Sequence, residues 1–385
     1  MGRVVALKGI RIGYEPDTEV GELIERYTRA VQDFLDIAVG RGITSLGRIN
    51  GWRQEVRRRH GLSGATAVLA MKDALAIYKA WRRKKGKRSN PRISRPFMKA
   101  MHGYNAKLMP DNRLRITRFQ GDYIYLKLKV GEYQRRYLDA VRRGELKLGI
   151  IVVTPEHCVF PVSRETEPFE PEGILALDVN EKHVDGLVLK GEKAEFYRWD
   201  LREVFEASTG CMERFRAFQS RYPQRFRLHE HIATKWFGNR NHYVDWFLHN
   251  LVNRIIELAA RERLKIVMED LKGLKLGINR KRMRRTMRGR LNRWMARRIQ
   301  RIIQYKSNWN SIPLSYVPPR GTSSTCPRCG VGLKADPDWH HLACPSCGIK
   351  GDRDRIACVN IAKLEDEGLR FGPDWWGMIA TPSVA

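Results

Sequence analysis

Acidic residues are scarce in this chain, long apolar runs are missing, and cysteine is sparse outside one short stretch. Against 72 Lys and Arg, the 385 residues set only 42 Asp and Glu, a formal net charge of +30. A field of that sign attracts polyanions, and nucleic acid is the usual one. A membrane surface is the rival partner, but no apolar run approaches the ~20 residues that span a bilayer. The opening Met-Gly-Arg-Val-Val turns charged too soon for a signal peptide, and Ala6 stands where myristoylation of Gly2 requires Ser or Thr. There is no Gly-x-x-x-x-Gly-Lys loop, so ATP use is not expected. Internal repeats and low-complexity tracts are also missing. Together these features predict an intracellular, reducing setting with no membrane partner, and the length predicts two or three domains.

Four of the seven cysteines lie in two knuckles, Cys326-Pro-Arg-Cys329 and Cys344-Pro-Ser-Cys347, with fourteen residues between them. Structural zinc takes four ligands tetrahedrally and favours thiolates, and each knuckle offers two from one tight turn. Gly330 and Gly348 suit such turns, because glycine tolerates positive φ. Two disulfides or free thiols are the bland alternative, and nothing in the sequence indicates secretion. Cys326, Cys329, Cys344 and Cys347 are therefore expected to hold a structural Zn²⁺. Cys158, Cys211 and Cys358 are isolated and read as small buried hydrophobes. His340 and His341 lie between the knuckles, but four cysteines already fill a tetrahedron.

The N-terminal half reads as a β-barrel with a helical insertion. A strand is predicted over 3–12, then a helix capped at Asp17 with Leu23, Ile24, Tyr27, Val31, Phe34, Leu35 and Ala38 at helical spacing, closed by Gly40 and Gly42. A second long helix starts near Ser63, with Val68, Met71, Leu75, Tyr78 and Trp81 as its stripe. Strands resume after 93. In one of them Ile124, Leu126, Leu128 and Val130 alternate with Tyr123, Tyr125, Lys127 and Lys129, a half-buried strand whose outer face is either a nucleic-acid surface or simply solvated. Acidic, proline-containing residues 165–173 read as a linker. Beyond it come three strands (173–178, 184–190, 195–200), a helical stretch, an amphipathic helix through Val244, Phe247, Leu251, Ile255 and Leu258, and a strand over 264–269. That order predicts an α/β layer fold. Residues 280–301 carry eleven Lys or Arg in twenty-two with no acid, and 79–92 carry eight in fourteen. Alone, each run is a solvated face. In a chain of this charge they point to phosphate contact. Leu291, Trp294, Met295, Ile302 and Tyr305 supply the first run with an apolar side.

Asp178 ends one apolar strand and Glu269 another. Carboxylates at strand C-termini in an open α/β sheet face the usual functional crevice, and carboxylates are almost never buried unpaired. A divalent ion between them is one answer and salt bridges to the many arginines are the other. Mg²⁺ prefers oxygen ligands and tolerates few from protein, and two such ions would stabilise the attacking and leaving oxygens of a phosphodiester. A third carboxylate would come from Asp352 or Asp354, at the start of a helix running through Ile356, Val359, Ile361 and Leu364, unless one of them only caps that helix. Asp185 and Asp270 read as neighbours of the site or solvated groups, His229-Glu230-His231 as loop or surface, and His249 as structural.

Several of these stretches resemble one family. Gly173-Ile-Leu-Ala-Leu-Asp178, Ile266-Val-Met-Glu269-Asp270-Leu271, Tyr305-Lys306, Tyr316-Val-Pro-Pro-Arg-Gly-Thr322-Ser-Ser-Thr-Cys326, the second knuckle, and Asp352-Arg-Asp354 with Asn360-Ile361 are similar to the motifs of TnpB, the RNA-guided nuclease of insertion sequences, and of the related miniature type V CRISPR effectors. The match is specific over 173–364 and architectural before 170. The sequence departs from the family pattern at Ala176 and Asn180, where glycines flank the first aspartate, and at Ile356, where an asparagine is usual. The resemblance implies a RuvC-like, RNase H-related nuclease over 171–320 and 350–385. It also implies a zinc-ribbon target-nucleic-acid-binding insertion over 321–349, a wedge β-barrel over 1–16 and 93–170, and a helical recognition insertion over 17–92. It implies Asp178, Glu269 and Asp354 as catalytic carboxylates holding Mg²⁺, a guide RNA and double-stranded target DNA as partners, and a prokaryotic cytoplasmic, nucleoid-associated location. Monomer and dimer are both compatible. The expected activity is guide-directed cleavage of DNA next to a short duplex motif. A guided DNA-binding repressor and an RNA-free nuclease or transposition accessory protein are the alternatives.

Overall fold

The computed structural model describes residues 3–84, 89–119, 121–271, 295–335, 340–369 and 377–379. Most of the basic stretch expected over 280–301, with Leu291 and Trp294, lies outside the described residues. Tertiary contacts divide the chain into a unit of Val5–Glu165 and a second unit from Thr166 onward. No helix among the described residues is long and apolar enough to cross a membrane.

The first unit begins with β1 (Val4–Tyr14), followed by α1 (Thr18–Arg41), α2 (Leu46–Ile49), α3 (Arg53–His60) and α4 (Gly64–Arg82). Asp17 caps α1 by accepting from the backbone N–H groups of Glu19 and Val20 at 2.8 and 3.3 Å, and Gly42 closes it in the left-handed region at φ 66°. All seven residues of the expected α1 stripe are buried. Helices α2 and α3 are absent from the sequence reading, because only Ile49 and Val56 in them are buried and no stripe forms. In α4 the expected Val68 and Trp81 are half-buried, and small Ala67, Ala70 and Ala74 take the inner face. The two long helices are tied through a buried polar contact: Tyr27 Oη donates to Asp73 Oδ2 at 2.6 Å, and Lys99 pairs with the other carboxylate oxygen. Burial, then the Asp73 charge, pushes the Tyr27 hydroxyl far above its ordinary range, so it stays protonated and donates to Asp73.

The strands of this unit are β2 (Met98–Ala100), β3 (Ala106–Leu108), β4 (Arg113–Phe119), β5 (Asp122–Lys129), β6 (Lys147–Leu148), β7 (Ile151–Val153) and β8 (His157–Thr166), with α5 (Glu132–Arg142) after β5. They form one eight-stranded sheet in the order β2-β7-β8-β1-β5-β4-β3, with β6 on β8. The path starts at β2 and ends at β3, which are joined by only a short turn. Asn105 pins that turn, accepting from Met101 N at 2.7 Å and donating to Lys99 O at 3.1 Å. The expected barrel is thus a near-barrel sheet that curls back toward its own start. Strand β5 alternates as predicted: Ile124, Leu126 and Leu128 are buried and Tyr123 and Tyr125 exposed, with Arg115 and Arg113 lying 4.4 and 5.1 Å over those two rings. Helix α5 was not expected, since it buries only Leu138 and Ala140.

The second unit holds β9 (Gly173–Val179), β10 (His183–Lys190), β11 (Lys193–Asp200), α6 (Arg202–Arg221), α7 (Phe226–Arg261), β12 (Leu264–Glu269), α8 (Ala296–Trp309), β13 (Leu314–Val317), β14 (Lys334–Ala335), β15 (His341–Ala343), β16 (Lys350–Asp352) and α9 (Arg353–Glu365). The main sheet has the order β11-β10-β9-β12-β13. Strands β9, β10 and β11 are antiparallel, whereas β12 runs parallel to both β9 and β13. The inner strands β9 and β12 are largely apolar on both faces, as a sheet covered twice requires. Leu175, Leu177, Val179, Ile266 and Met268 bury into a core with α7 and α8, while Ala176, Leu187, Leu189 and Val267 bury against Ile356, Val359 and Ile361 of α9. Close packing fixes two glycines here: a Cβ on Gly173 would sit 2.3 Å from the Leu189 carbonyl, and one on Gly186 2.7 Å from the Trp199 ring. A small antiparallel sheet, β14-β15-β16, carries the knuckles and runs from Asp352 directly into α9.

Asp73→Ala strips the acceptor from both Tyr27 and Lys99. Urea unfolding, read by hydrogen exchange in α1 and α4, is expected to show a loss of ~3 kcal/mol or more, against ~1 kcal/mol for Tyr27→Phe.

Candidate metal centres

Strand alternation decides which acidic side chains can meet. Asp178 lies two residues beyond Ala176, Glu269 two beyond Val267, and Asp185 and His183 two and four before Leu187, all on the face that α9 covers. Register sets Asp185 opposite Asp178 on the neighbouring strand. Asp354 enters from the first turn of α9. Of the two candidate third carboxylates, Asp352 caps α9, accepting from the backbone N–H groups of Asp354 and Arg355 at 2.9 and 3.1 Å.

Asp178 is buried, 9% exposed. Burial first, then the Glu269 and Asp354 charges, push its carboxyl up to about 8, while a hydrogen bond from Asn180 Nδ2 to Oδ2 at 2.9 Å pulls the other way. Burial also raises Glu269, opposed by the Thr322 hydroxyl, which donates to Oε1 at 2.5 Å. Thr322 is itself buried, and its carbonyl and that of Thr325 accept from Asn360 Nδ2 of α9 at 2.7 and 2.8 Å. Asp354 behaves differently. Burial would raise it, but the His183 hydrogen bond and the charges of His183, Arg198 and Arg353 prevail and hold it below its ordinary value. His183 Nε2 is 2.8 Å from Asp354 Oδ2 and 3.1 Å from Asp185 Oδ2. Burial disfavours the imidazolium there, yet these two carboxylates lift it to about 9. Arg198 Nε donates to Asp185 Oδ1 at 2.7 Å, and its other end is 3.5 Å from Asp354 Oδ2.

Among the described residues, two groups bring three or more metal-capable atoms within 4.8 Å of one another: His183–Asp185–Asp354 and the four knuckle cysteines. The first already contains an imidazolium and is bound by a guanidinium, so its carboxylates are neutralised by the chain itself. Asp178 and Glu269 are not. Among the described residues neither has an ion-pair partner, which is the condition a divalent cation with oxygen ligands satisfies.

At the knuckles, Cys326 Sγ is 3.5 Å from Cys347 Sγ and Cys329 Sγ is 3.4 Å from Cys344 Sγ. These gaps exceed a disulfide's ~2 Å and come near the ~3.8 Å edge of a tetrahedron with zinc–sulfur bonds of about 2.3 Å. The backbone N–H of Cys347 foremost draws the Cys344 thiol down to about 6, toward the thiolate a metal requires. Gly330 and Gly348 adopt φ of 75° and 73°, as their turn positions demand.

Other expectations resolve as follows. His229 is helical and buried, with its ring edge-on to Phe218 at 5.7 Å, not in a loop; Glu230 and His231 are exposed. His249 is structural, its ring 3.0 Å from the Tyr305 hydroxyl and its carbonyl accepting from Lys306 at 2.8 Å. Cys158 and Cys358 are buried, Cys211 half-buried. Asp185 is buried inside the cluster, while Asp270 donates its backbone N–H to Val317 O at 2.8 Å. Of the positions that depart from the family pattern, Ala176 and Ile356 are fully buried in the α9 layer, and Asn180 binds Asp178. Sequence reasoning missed His183, Arg198 and Thr322. His183 left a trace two residues from Asp185 on its strand, and Thr322 one as part of a stretch that resembles the family.

The family model described as Cas12f1-like, TNB domain matches residues 297–361, from α8 through the knuckles into α9. A TnpB-like protein of Methanocaldococcus jannaschii is 28% identical over 272 residues, 68% of this chain and 95% of that protein. The CRISPR-associated endodeoxyribonuclease Cas12f2 of a Micrarchaeota archaeon is 30% identical over 130 residues, 31% of this chain and 23% of its own length. Among solved structures, a cryo-EM structure of a Cas12f1–sgRNA–target DNA complex superposes with a TM-score of 0.63 at 14% identity, covering 90% of this chain and 82% of the matched one. That likeness shows a shared fold, and its coverage takes in the N-terminal half.

Two outcomes are expected. A folded-state value of about 8 for Asp178, against ~3.9 unfolded, means that the stability of the metal-free protein falls as pH rises between those values. Asp178→Asn removes that loss, so its melting temperature should exceed the wild type's by several degrees at pH 8. The gap should close toward pH 4, and Mg²⁺ at pH 8 should stabilise the wild type more than the variant. Separately, Cys344→Ser should abolish stoichiometric zinc in atomic absorption, and unchanged zinc content would remove the four-cysteine site.

Proposed function

The chain belongs to the TnpB family, related to the miniature type V CRISPR effectors, and on that premise we propose that it is an RNA-guided DNA endonuclease with a RuvC-like centre. The observation that carries the reading is the convergence of Asp178, Glu269 and Asp354 on one face of the main sheet, with Asp178 and Glu269 free of any cation among the described residues. The strand order, three antiparallel strands followed by two parallel ones with helices on both faces, supports reading this unit as an RNase H-related core.

In this reading Asp178, Glu269 and Asp354 hold divalent metal, and the bound ions supply the positive charge that the attacking and leaving oxygens of a phosphodiester need. The chain's own residues set the geometry. Asn180 fixes one oxygen of Asp178, Thr322 fixes one oxygen of Glu269, and His183 and Arg198 hold Asp354. The zinc knuckles are structural, since four cysteines leave no open ligand position, and we assign them to gripping target nucleic acid. Guide pairing reads the sequence, and the N-terminal unit, with its Tyr123–Arg115 and Tyr125–Arg113 face, contacts RNA and a short duplex motif beside the target. The domain boundaries are those inferred from sequence.

A guided binder that does not cut is the second reading, favoured by the engagement of Asp354 Oδ2 with both His183 and Arg198. Purification with the native flanking DNA, followed by sequencing of the bound nucleic acid, supplies the guide: one defined RNA species is expected, and random RNA would sink the guided reading. With that guide, Glu269→Ala should lower Mg²⁺-dependent cleavage by roughly a hundredfold or more while leaving target binding intact. A wild type that binds target without cutting selects the second reading.

A further inference from the structure

The hairpin of α6 and α7 stands outside both metal centres, and its tip has the chemistry of a nucleic-acid contact. Its seam is aromatic: Phe215 meets Phe237 at 5.0 Å between ring centres, and Phe218 meets Tyr222, His229 and Trp236 at 5.1, 5.7 and 6.1 Å. This packing stiffens the tip. One ring is left out of it. Phe226, the first residue of α7, is 72% exposed, with buried His229 6.1 Å behind it, edge-on.

Cations surround that ring. Residues 214–235 contain Arg214, Arg216, Arg221, Arg225, Arg227 and Lys235 against the single acid Glu230, six positive charges less one, or +5. Among the described residues Arg216, Arg225, Arg227 and Lys235 have no carboxylate partner, and all four are exposed. Elsewhere in this chain exposed arginines commonly pair, as Arg26, Arg29 and Arg59 do with glutamates one helical turn away.

An exposed, rigidly based aromatic ring among unpaired arginines does not suit a protein partner, whose contact core is depleted of charge. Nor does it suit a lipid surface, which requires a continuous apolar stripe. It suits an unpaired nucleic-acid strand, on which an aromatic side chain stacks a base while cations hold the neighbouring phosphates. We propose that the α6–α7 tip docks a single-stranded segment of nucleic acid, with Phe226 as the stacking ring and Arg225 and Arg227 on the flanking phosphates. The proposal rests on the reading of this chain as a nucleic-acid enzyme, but not on its being guided or on its cutting.

The test uses the full-length protein and three fluorescent probes at fixed salt: oligo-dT, oligo-U and a duplex of equal length. Phe226→Ala should weaken binding to at least one single strand roughly tenfold, leave the duplex unchanged, and be rescued by Phe226→Trp. The strand that loses more identifies DNA or RNA as the occupant. The double change Arg225→Ala, Arg227→Ala should flatten the salt dependence of single-strand binding by about two phosphate contacts. A photo-crosslinking residue at 226 should label the single-strand probe and not the duplex. Wild-type affinity of Phe226→Ala for both single strands, or equal loss on the duplex, overturns the proposal. Because none of these measurements needs a guide or cleavage, a failure of the proposed activity would leave their result standing.

Discussion

Mutual repulsion among buried carboxylates is the constraint around which the second unit is arranged. Asp178, Asp185, Glu269 and Asp354 are gathered on the sheet face that α9 covers, where burial and the neighbouring Glu269 and Asp354 charges raise the Asp178 carboxyl. The chain neutralises this cluster unevenly. His183 and Arg198 attend Asp185 and Asp354, whereas Asp178 and Glu269 receive only neutral donors, Asn180 and Thr322. The result is a polarised site: one side internally compensated, the other carrying a demand for external positive charge.

Few contacts tie the cysteine knuckles to the acidic face. Thr322, four residues before Cys326, donates its hydroxyl to Glu269 while its carbonyl accepts from Asn360 Nδ2 of α9, and Lys363 of the same helix reaches the Pro327 carbonyl. At the other end β16 of the knuckle sheet passes straight into the cap of α9 at Asp352. The knuckles are therefore bracketed by residues that also orient Glu269 and present Asp354. Loss of the thiolate cluster would loosen both.

The first unit meets its polar groups in another way. Its sheet and long helices are joined by Tyr27, Asp73 and Lys99, and its closing turn by Asn105 and Thr66, all satisfied within the core. Buried polar groups with every partner in place favour one packing over others. The charge left over is displayed outward, where Arg113 and Arg115 lie over Tyr125 and Tyr123.

Sequence alone determined what local chemistry can specify. The knuckle spacing groups four thiols on two tight turns, an arrangement suited to one metal ion. Alternation names the apolar face of β5, apolar runs mark β9 and β12, and Asp17, Ser63 and Gly42 lie at helix ends, because caps and periodicities act within a few residues. The family motifs carried Asp178, Glu269 and Asp354. Helices α2, α3 and α5 stayed hidden, since only Ile49, Val56, Leu138 and Ala140 in them are buried, too few to mark an apolar stripe. The tertiary structure gave Asp352 and Asp354, two residues apart, different surroundings: one caps α9 and the other meets His183. Only it brought His183 and Arg198, from β10 and β11, to carboxylates that lie more than 150 residues away. The physical reason is that electrostatic pairing depends on distance in space, which strand register and helix packing set and which no spacing along the chain records.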